Sequence, residues 1–535
     1  MRGAEEPMRA QMESRVASSV GMVLLVGASV AVAGCGRSTA VVPALDGSLS
    51  AEAAVPSDAA PGPDAGPPDA TSSSSPADAA PTNDGPPCAA ADAQPACNPA
   101  GGLQCQVNYD CPDGGHTTLR GVVYDPAGRT PLYNAAVYVP RHPAALAPIA
   151  TGTSLCTSCE APISDYVTIA ATDASGSFTL LDVPSGGAIP LVVQVGKWRR
   201  MATVTTVQGC AETDVPAELT RLPRNQTEGD MPQMALLTGG CDNVACFLRS
   251  IGVDAAEFGA PHAGGRVDVY QGLGASGPAA PLSGATAGDC TTSACPLWSS
   301  EGSLAAYDAV LLGCECAEND QTKPAAAMQA LHDWLGHGGL VFATHSQATW
   351  FKNGPADFQA VASWVDGPAS GAAGPFAVDA TTEKGMAFLQ WLTDVGAAAG
   401  NGTVSLDPVD VSTSVTSVSG ASFEWIDDTS TAPEDGSPLS GNVKAFSFET
   451  PLASAPTAIC GRAYFTDVHP GGGQALTDPS ADGGGPAAIP EACDGGPLTA
   501  EEMALEFLLF ERGICVDDTE PPPLPPCPAD GGSQP

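Results

Sequence analysis

The chain has 535 residues, and its 60 acidic against 20 basic side chains give a formal net charge of −40. So acidic a surface repels phosphate backbones and anionic headgroups, which argues against nucleic acid and peripheral membrane binding as functions. The length suffices for two or three domains with sizeable cores, and 18 cysteines are more than a reducing compartment ordinarily keeps as thiols.

Near the start, an apolar run from Val20 to Ala31 follows Arg9 and Arg15 and ends in Val32-Ala33-Gly34-Cys35. A positive flank, a short apolar core and small residues form the layout of a secretory signal. About 14 apolar residues fall short of a hydrocarbon core of roughly 30 Å, so a membrane-spanning helix is the poorer reading. Small residues running directly into Cys35 resemble the lipobox of bacterial lipoproteins. That resemblance implies residues 1–34 as a signal peptide and lipidation of Cys35 after cleavage, with the lipid as the membrane contact. Gly36 rather than Asp after Cys35 leans, by the same analogy, toward the outer membrane or cell surface, facing periplasm or exterior.

Residues 35–118 read as a tether with a cysteine-rich end. Ala, Pro, Asp, Ser and Gly dominate as far as Pro87, and such a segment cannot bury enough apolar surface to repay ordering. As a random coil it spans on the order of 50 Å. Removing Cys35 leaves 17 of the 18 cysteines, an odd number, so at least one thiol stays free or pairs between molecules. Cys105, Cys111, Cys156 and Cys159 offer a zinc set, but an exported chain favours disulfides, and neither a metal nor a cofactor is expected.

Residues 119–225 carry short alternating strands punctuated by Gly and Pro, which predict a β-sandwich. The motifs Gly121-x-Val123-x-Asp125 with Gly128, Pro131-Leu132, Ala135 and Val137, then Thr172-Asp173-Ala174-Ser175-Gly176-Ser177-Phe178 and Val183-Pro184-x-Gly186, resemble the carboxypeptidase regulatory-like domain. That family is a prealbumin-like accessory sandwich, and its name implies no peptidase activity here. Lys197, Trp198, Arg199, Arg200 and Arg224 concentrate basic charge around one indole. They read either as an interdomain contact or as a ligand subsite in which Trp198 stacks on a glycan and the arginines clamp oxyanions.

Residues 226–516 alternate strands and helices, which predicts a doubly wound, mostly parallel α/β sheet. Strands are expected at 233–240, 265–270, 308–313 and 340–345, helices at 243–251, 325–335, 358–364 and 384–395, and an antiparallel extension at 403–447. Thr499 and Glu502 form a capping-box signature opening the last helix. Residues 517–535 are a proline-rich tail, read like the tether as disordered. The fold class expected is therefore multidomain, a β-sandwich followed by the α/β sheet between two disordered ends.

Tyr307 to Leu311, Gly338 to His345 and Gly461 to His469 together resemble the class I glutamine-amidotransferase-like superfamily, closest to its trehalose-utilisation-type members. That family uses a Cys on a strained Gly-x-Cys-x-Gly elbow and a His-x-Glu dyad. Here Gly313-Cys314-Glu315-Cys316-Ala317 lacks the glycine offsets, and Pro470-Gly471 replaces the Glu after His469. Cys314 and Cys316 read as oxidised onto other cysteines, Cys241 or Cys246 being candidates, rather than as nucleophiles. His345, Asp467 and His469 end strands where open α/β sheets place their ligand crevice, and Glu315 lies near them. They stand as candidate catalytic residues beside the plainer reading that they cap strand ends. The leading expectation is a membrane-anchored, non-enzymatic lipoprotein whose partner is a glycan or envelope protein. The alternative is an extracytoplasmic hydrolase or sugar-modifying enzyme using that strand-end site.

Overall fold

A computed structural model describes most of residues 99–511, leaving out 153–162, 366–373, 430–442, 471–487 and a few shorter stretches. The signal segment, Cys35, the tether, Cys156, Cys159 and the proline-rich tail lie outside the described residues. The molecule is sheet-rich, with several sheets, some helices and a β-sandwich-like part. Among the described residues no helix is long and apolar enough to cross a membrane.

The sandwich-like part holds strands β1 (Thr118–Val122), β2 (Ala136–Pro140), β3 (Tyr166–Ala171), β4 (Ser177–Leu180), β5 (Gly186–Val195), β6 (Trp198–Val207) and β7 (Glu212–Asp214). They divide into a three-stranded sheet, β4-β1-β7, and a four-stranded sheet, β3-β2-β5-β6. Alternation fixes which side is buried: Val137 and Val139 of β2 and Leu191, Val193 and Val195 of β5 pack into the main core. Gly176, at φ 73°, shows why the Asp173–Gly176 turn needs glycine. A Cβ there would also lie 2.7 Å from Pro131.

The large sheet has 13 strands. Those that matter for the site are β8 (Met234–Thr238), β9 (Val267–Gln271), β10 (Ala309–Leu312), β11 (Leu340–Thr344), β12 (Ser422–Asp428), β13 (Val443–Thr450) and β14 (Gly461–Thr466). They run in the order β9-β8-β10-β11-β14-β13-β12. The first five pair in parallel, and β13 and β12 add on antiparallel. Both faces of β8, β10 and β11 are buried, so these three central strands are almost wholly apolar rather than alternating with polar residues. Met234 and Leu236 of β8 face one core while Ala235 and Leu237 face the other.

Among the described residues, four helices of seven or more residues flank the sheet: α1 (Val244–Ser250), α2 (Ala325–Gly336), α3 (Glu383–Asp394) and α4 (Ala500–Phe510). The capping box of Thr499 and Glu502 is present at the start of α4. The stretch expected as a helix around 358–364 is instead a single turn, Ala356–Gln359, followed by a strand, Ala362–Trp364. Trp364 there stacks on Phe351, with ring centroids 6.4 Å apart. Tertiary packing of the indole overrides the local helical spacing.

The sandwich and one face of the large sheet share a single core, with Leu119, Val193 and Trp198 in the same cluster as Leu236, Leu340 and Phe507. Polar contacts fix the junction. Trp391 donates to the Pro131 carbonyl at 2.7 Å and Arg129 to the Ser250 carbonyl at 2.6 Å. Disulfides join Cys111 to Cys210, Cys241 to Cys316, Cys246 to Cys493 and Cys290 to Cys295. Cys111 is therefore not a zinc ligand, and the close Cys290–Cys295 pair staples its loop.

Candidate functional site

Four neighbouring parallel strands end on the same edge of the sheet, and each is followed within a few residues by a polar side chain. Asp242 follows β8, Cys314 follows β10, His345 follows β11, and Asp467 and His469 follow β14. Parallel register brings these tips together although the residues are up to 227 positions apart in sequence. Gly239 makes the approach possible: a Cβ on it would fall 1.9 Å from the Cys314 carbonyl oxygen. The Cys241 amide donates to that same oxygen at 3.0 Å.

Asp242 is the hub. Its side chain is fully buried and accepts from three elements: the Cys314 amide at 2.7 Å, the Thr344 hydroxyl, and His469 Nδ1 at 2.6 Å. A buried carboxylate is tolerated only when so paired. The bond fixes the imidazole of His469 and leaves its Nε2 directed elsewhere, as in an orienting carboxylate–histidine pair. Cys314 is free and fully buried. Its Sγ lies 3.4 Å from His345 Nδ1 and 3.2 Å from Ser346 Oγ. One ligand-type atom from each of Cys314, His345 and His469 lies within 4.8 Å of the others.

These neighbours set the protonation states. Burial alone pushes the Cys314 thiol up, but hydrogen bonds from His345 and His469 outweigh it and bring the thiol to about 7. Burial likewise pushes His469 down, while the charge and hydrogen bond of Asp242, reinforced by Cys314, lift it to about 11. His345 is raised because its contact with Cys314 outweighs its own burial. Asp467 is fully buried and raised by desolvation, against the opposing charge of His345 and two hydrogen bonds from Ser414.

His345 sits on a strained turn between β11 and the helical segment after it, at φ 35°. A non-glycine residue there costs energy and persists where its surroundings over-determine it. The strained strand-to-helix position is thus occupied by a histidine, and Cys314 stands just past the end of the adjacent strand. A cleft of about 330 Å³ opens beside this turn, lined by His345, Ser346, Cys316, Lys352, Trp364 and Ser414.

The strand-end candidates therefore divide. His345 and His469 converge on one point, and their rings meet edge to face at 4.9 Å between centroids. Asp467 is not in the cluster of ligand-type atoms; its carboxylate is held by two hydrogen bonds from Ser414. Glu315 points away: its carboxylate pairs with the fully buried Lys323 and accepts from the Leu273 amide at 2.6 Å, which fixes the loop after Cys314. Asp242, Cys314 and Ser346 complete the site and are absent from the sequence candidates. Cys316 does pair with Cys241, but Cys314 is not oxidised.

The basic cluster in the sandwich resolves differently. Trp198 is 5% exposed and meets Phe510 edge to face at 5.7 Å. Its ring face is not open to a sugar. Lys197 pairs with buried Asp308, Arg199 with Asp230, Arg200 donates to the Glu218 carbonyl, and Arg224 to the Pro126 carbonyl. Of the two readings of these residues, the internal-contact one fits these pairings better than the glycan subsite, since each cation meets a carboxylate or carbonyl of the protein itself.

No protein-family model matches the chain, and no curated protein matches it. Among solved structures, a chain of a type II cohesin–X–dockerin complex from Acetivibrio cellulolyticus (Coh3ScaB–XDoc_M1ScaA, an N-terminal interface mutant) is similar at 16% identity and a TM-score of 0.14, over 27% of this chain and 75% of that one. A likeness of that size carries no inference about this chain.

Proposed function

We propose that the chain is an envelope-anchored hydrolase of acyl derivatives in which Cys314 is the nucleophile and His469, oriented by Asp242, is the acid–base group. The observation that carries this reading is the one free buried thiol among the described cysteines, held beside two imidazoles while Cys316, two residues away, is oxidised. Nucleophile, base and orienting carboxylate in hydrogen-bonded sequence are what acyl transfer needs. Cys314 Sγ would attack the carbonyl carbon, and His469 would deliver its proton to the departing amine or alcohol. Water, deprotonated by His469, would then release the acid and regenerate the thiol. The Cys314 and Glu315 amides already donate to Asp242 and Ser346. The developing oxyanion must therefore be met by other donors, and His345 on the cleft wall is placed for that.

The strand order supports a doubly wound α/β reading of this part, and with it the amidotransferase-like resemblance. Numbering the five parallel strands by chain order gives 2-1-3-4-5, whose order reverses between β8 and β10, where such sheets bind ligands. Asp242 and Cys314 follow those two strands. The chain departs from the resemblance in drawing its carboxylate from β8 rather than from a His-x-Glu dyad. Localisation rests on the lipobox at Cys35 and the tether: the lipid would be the membrane contact, and Cys35→Ala is expected to leave the protein in the soluble fraction. The non-enzymatic glycan-binding alternative loses its main support once Trp198 is seen against Phe510.

The test is alkylation and turnover on the purified full chain with its disulfides intact. Iodoacetamide should modify Cys314 and abolish hydrolysis of a p-nitrophenyl acetate probe, and Cys314→Ser should do the same. Unchanged hydrolysis in Cys314→Ser would reject the thiol mechanism.

A further inference from the structure

The same cluster has the composition and spacing of a transition-metal site. A tetrahedral Zn²⁺ ion with metal–sulfur near 2.3 Å and metal–nitrogen near 2.0–2.1 Å holds its sulfur and nitrogen ligands about 3.6 Å apart. Cys314 Sγ and His345 Nδ1 stand at 3.4 Å, and the ligand atoms of Cys314, His345 and His469 all fall within 4.8 Å of one another. Each ligand is fixed by a different strand end, so the sheet register sets their spacing before any ion arrives. A thiolate with two imidazoles is a soft set, suited to Zn²⁺ and its substitutes Co²⁺ and Cd²⁺ and unsuited to Mg²⁺ or Ca²⁺.

A second observation comes from outside the ligand set. His469 gives its Nδ1 to Asp242 at 2.6 Å, leaving Nε2 as the ligating nitrogen. A carboxylate behind a histidine in this way sets the tautomer and ring orientation at metal centres. Asp242 also holds the Cys314 amide and the Thr344 hydroxyl, so one buried group positions two of the three ligands. Three protein ligands leave a fourth tetrahedral corner for water or a small ligand, and one of them, His345, lines the neighbouring cleft.

We propose that Cys314, His345 and His469 bind one Zn²⁺-class ion per chain, and that a bound ion silences the Cys314 nucleophile. The second half of this statement rests on the thiol reading above; the first half does not. On binding, the ligating sulfur and nitrogens release their protons to solvent, and the sulfur electron pair that would attack a carbonyl is committed to the ion. Metal occupancy and thiol reactivity are then mutually exclusive states of one site.

The experiment uses the full chain with intact disulfides, freed of metal by chelator and titrated with CoCl₂ and, in competition, ZnCl₂. One equivalent of Co²⁺ should give the visible bands of a tetrahedral ion and a near-ultraviolet thiolate-to-cobalt band, both displaced by Zn²⁺. Cys314→Ser should remove the thiolate band, and Asp242→Asn should weaken binding about tenfold to hundredfold. Iodoacetamide labelling of Cys314 should stop in the loaded chain and return after chelation. No saturable Co²⁺ signal in the wild-type chain, or a signal unchanged by Cys314→Ser, would overturn the site. The wild-type titration decides this even where a variant fails to fold. Saturable, Cys314-dependent binding in a chain whose metal-free thiol is inert would uphold the site, reject the silencing half and reject the hydrolase reading. A reactive thiol without metal binding would do the reverse.

Discussion

Two polar clusters stand out in this chain, the basic group at 197–224 and the strand-end group around Cys314, and both are largely buried. In the first, each cation meets its own acid or carbonyl: Lys197 with Asp308, Arg199 with Asp230, Arg221 with Glu228 through two bonds of 2.6 and 2.7 Å. The contacts disperse, each closing on its own partner. In the second, the contacts converge, since Asp242, His345, His469 and Ser346 all reach toward Cys314 or toward one another. Direction separates the two clusters better than charge or burial does. Pairs that each close on themselves build structure, and groups that share a focus next to a cleft build a site.

The comparison is broken most sharply by deleting the focus. Cys314→Ala should remove essentially all hydrolysis of p-nitrophenyl acetate, while the melting temperature shifts by no more than a few degrees. Removing the orienting group comes next. Asp242→Asn is expected to lower kcat/KM by roughly 10²–10⁴, since an asparagine favours the wrong imidazole tautomer; circular dichroism would confirm the fold. A dispersed cluster should respond in stability instead. Trp198→Ala should cost about 3–5 kcal/mol in denaturant unfolding, with Cys314 labelling unchanged below the transition. Equal labelling losses in Trp198→Ala and Asp242→Asn would erase the distinction.

The smallest expected effect concerns pH. Asp125 in the sandwich and Glu506 on α4 are both buried carboxyl groups, 1% and 0% exposed. Burial, ahead of all other causes, raises Asp125 to about 6. Glu506 is raised as well, first by burial and then by the charge of Asp125. Folded-state values above the unfolded ones mean the folded chain binds more protons. The stabilisation is therefore complete below about pH 4 and is lost as pH rises through about 6. Glu506→Gln should stabilise the chain more at pH 7 than at pH 4, because it removes a buried carboxyl that must stay protonated or be ionised at a cost. Thermal melts across that range would show it, and a flat difference would disprove the coupling.

Much of the strand-end site is legible in the sequence, because a buried apolar run that stops at a polar residue marks the tip of a parallel strand. Leu340 to His345 and Gly461 to His469 have that form. Asp242 does not, since it follows Gly239-Gly240-Cys241 in a turn without periodicity. Its role depends on β8 lying beside β10, which no local pattern encodes. The thiol was hidden for a different reason. An oxidising address favours pairing for cysteines as a class, but which partner each finds is a matter of three-dimensional distance. The odd cysteine count signals that at least one thiol is free or pairs between molecules, but not which. The basic cluster misleads because a tryptophan among arginines has the composition of a binding surface, and composition does not say which way a ring faces.

If Cys314 and Asp242 act as proposed, the Cys241–Cys316 disulfide has a consequence for how active molecules arise. Cys241 immediately precedes Asp242, and Cys316 follows Cys314 by two residues, so the cross-link brackets both the nucleophile and the group that orients its histidine. Three sulfurs compete within these two turns during oxidative maturation. Joining 241 to 316 spares the nucleophile and locks the carboxylate in place, whereas joining 241 to 314 consumes it. The two products have the same mass and the same number of cross-links. Peptide mapping without reduction, or titration of the remaining thiol, would tell the two isomers apart, and on the proposed mechanism specific activity would measure pairing fidelity as much as purity.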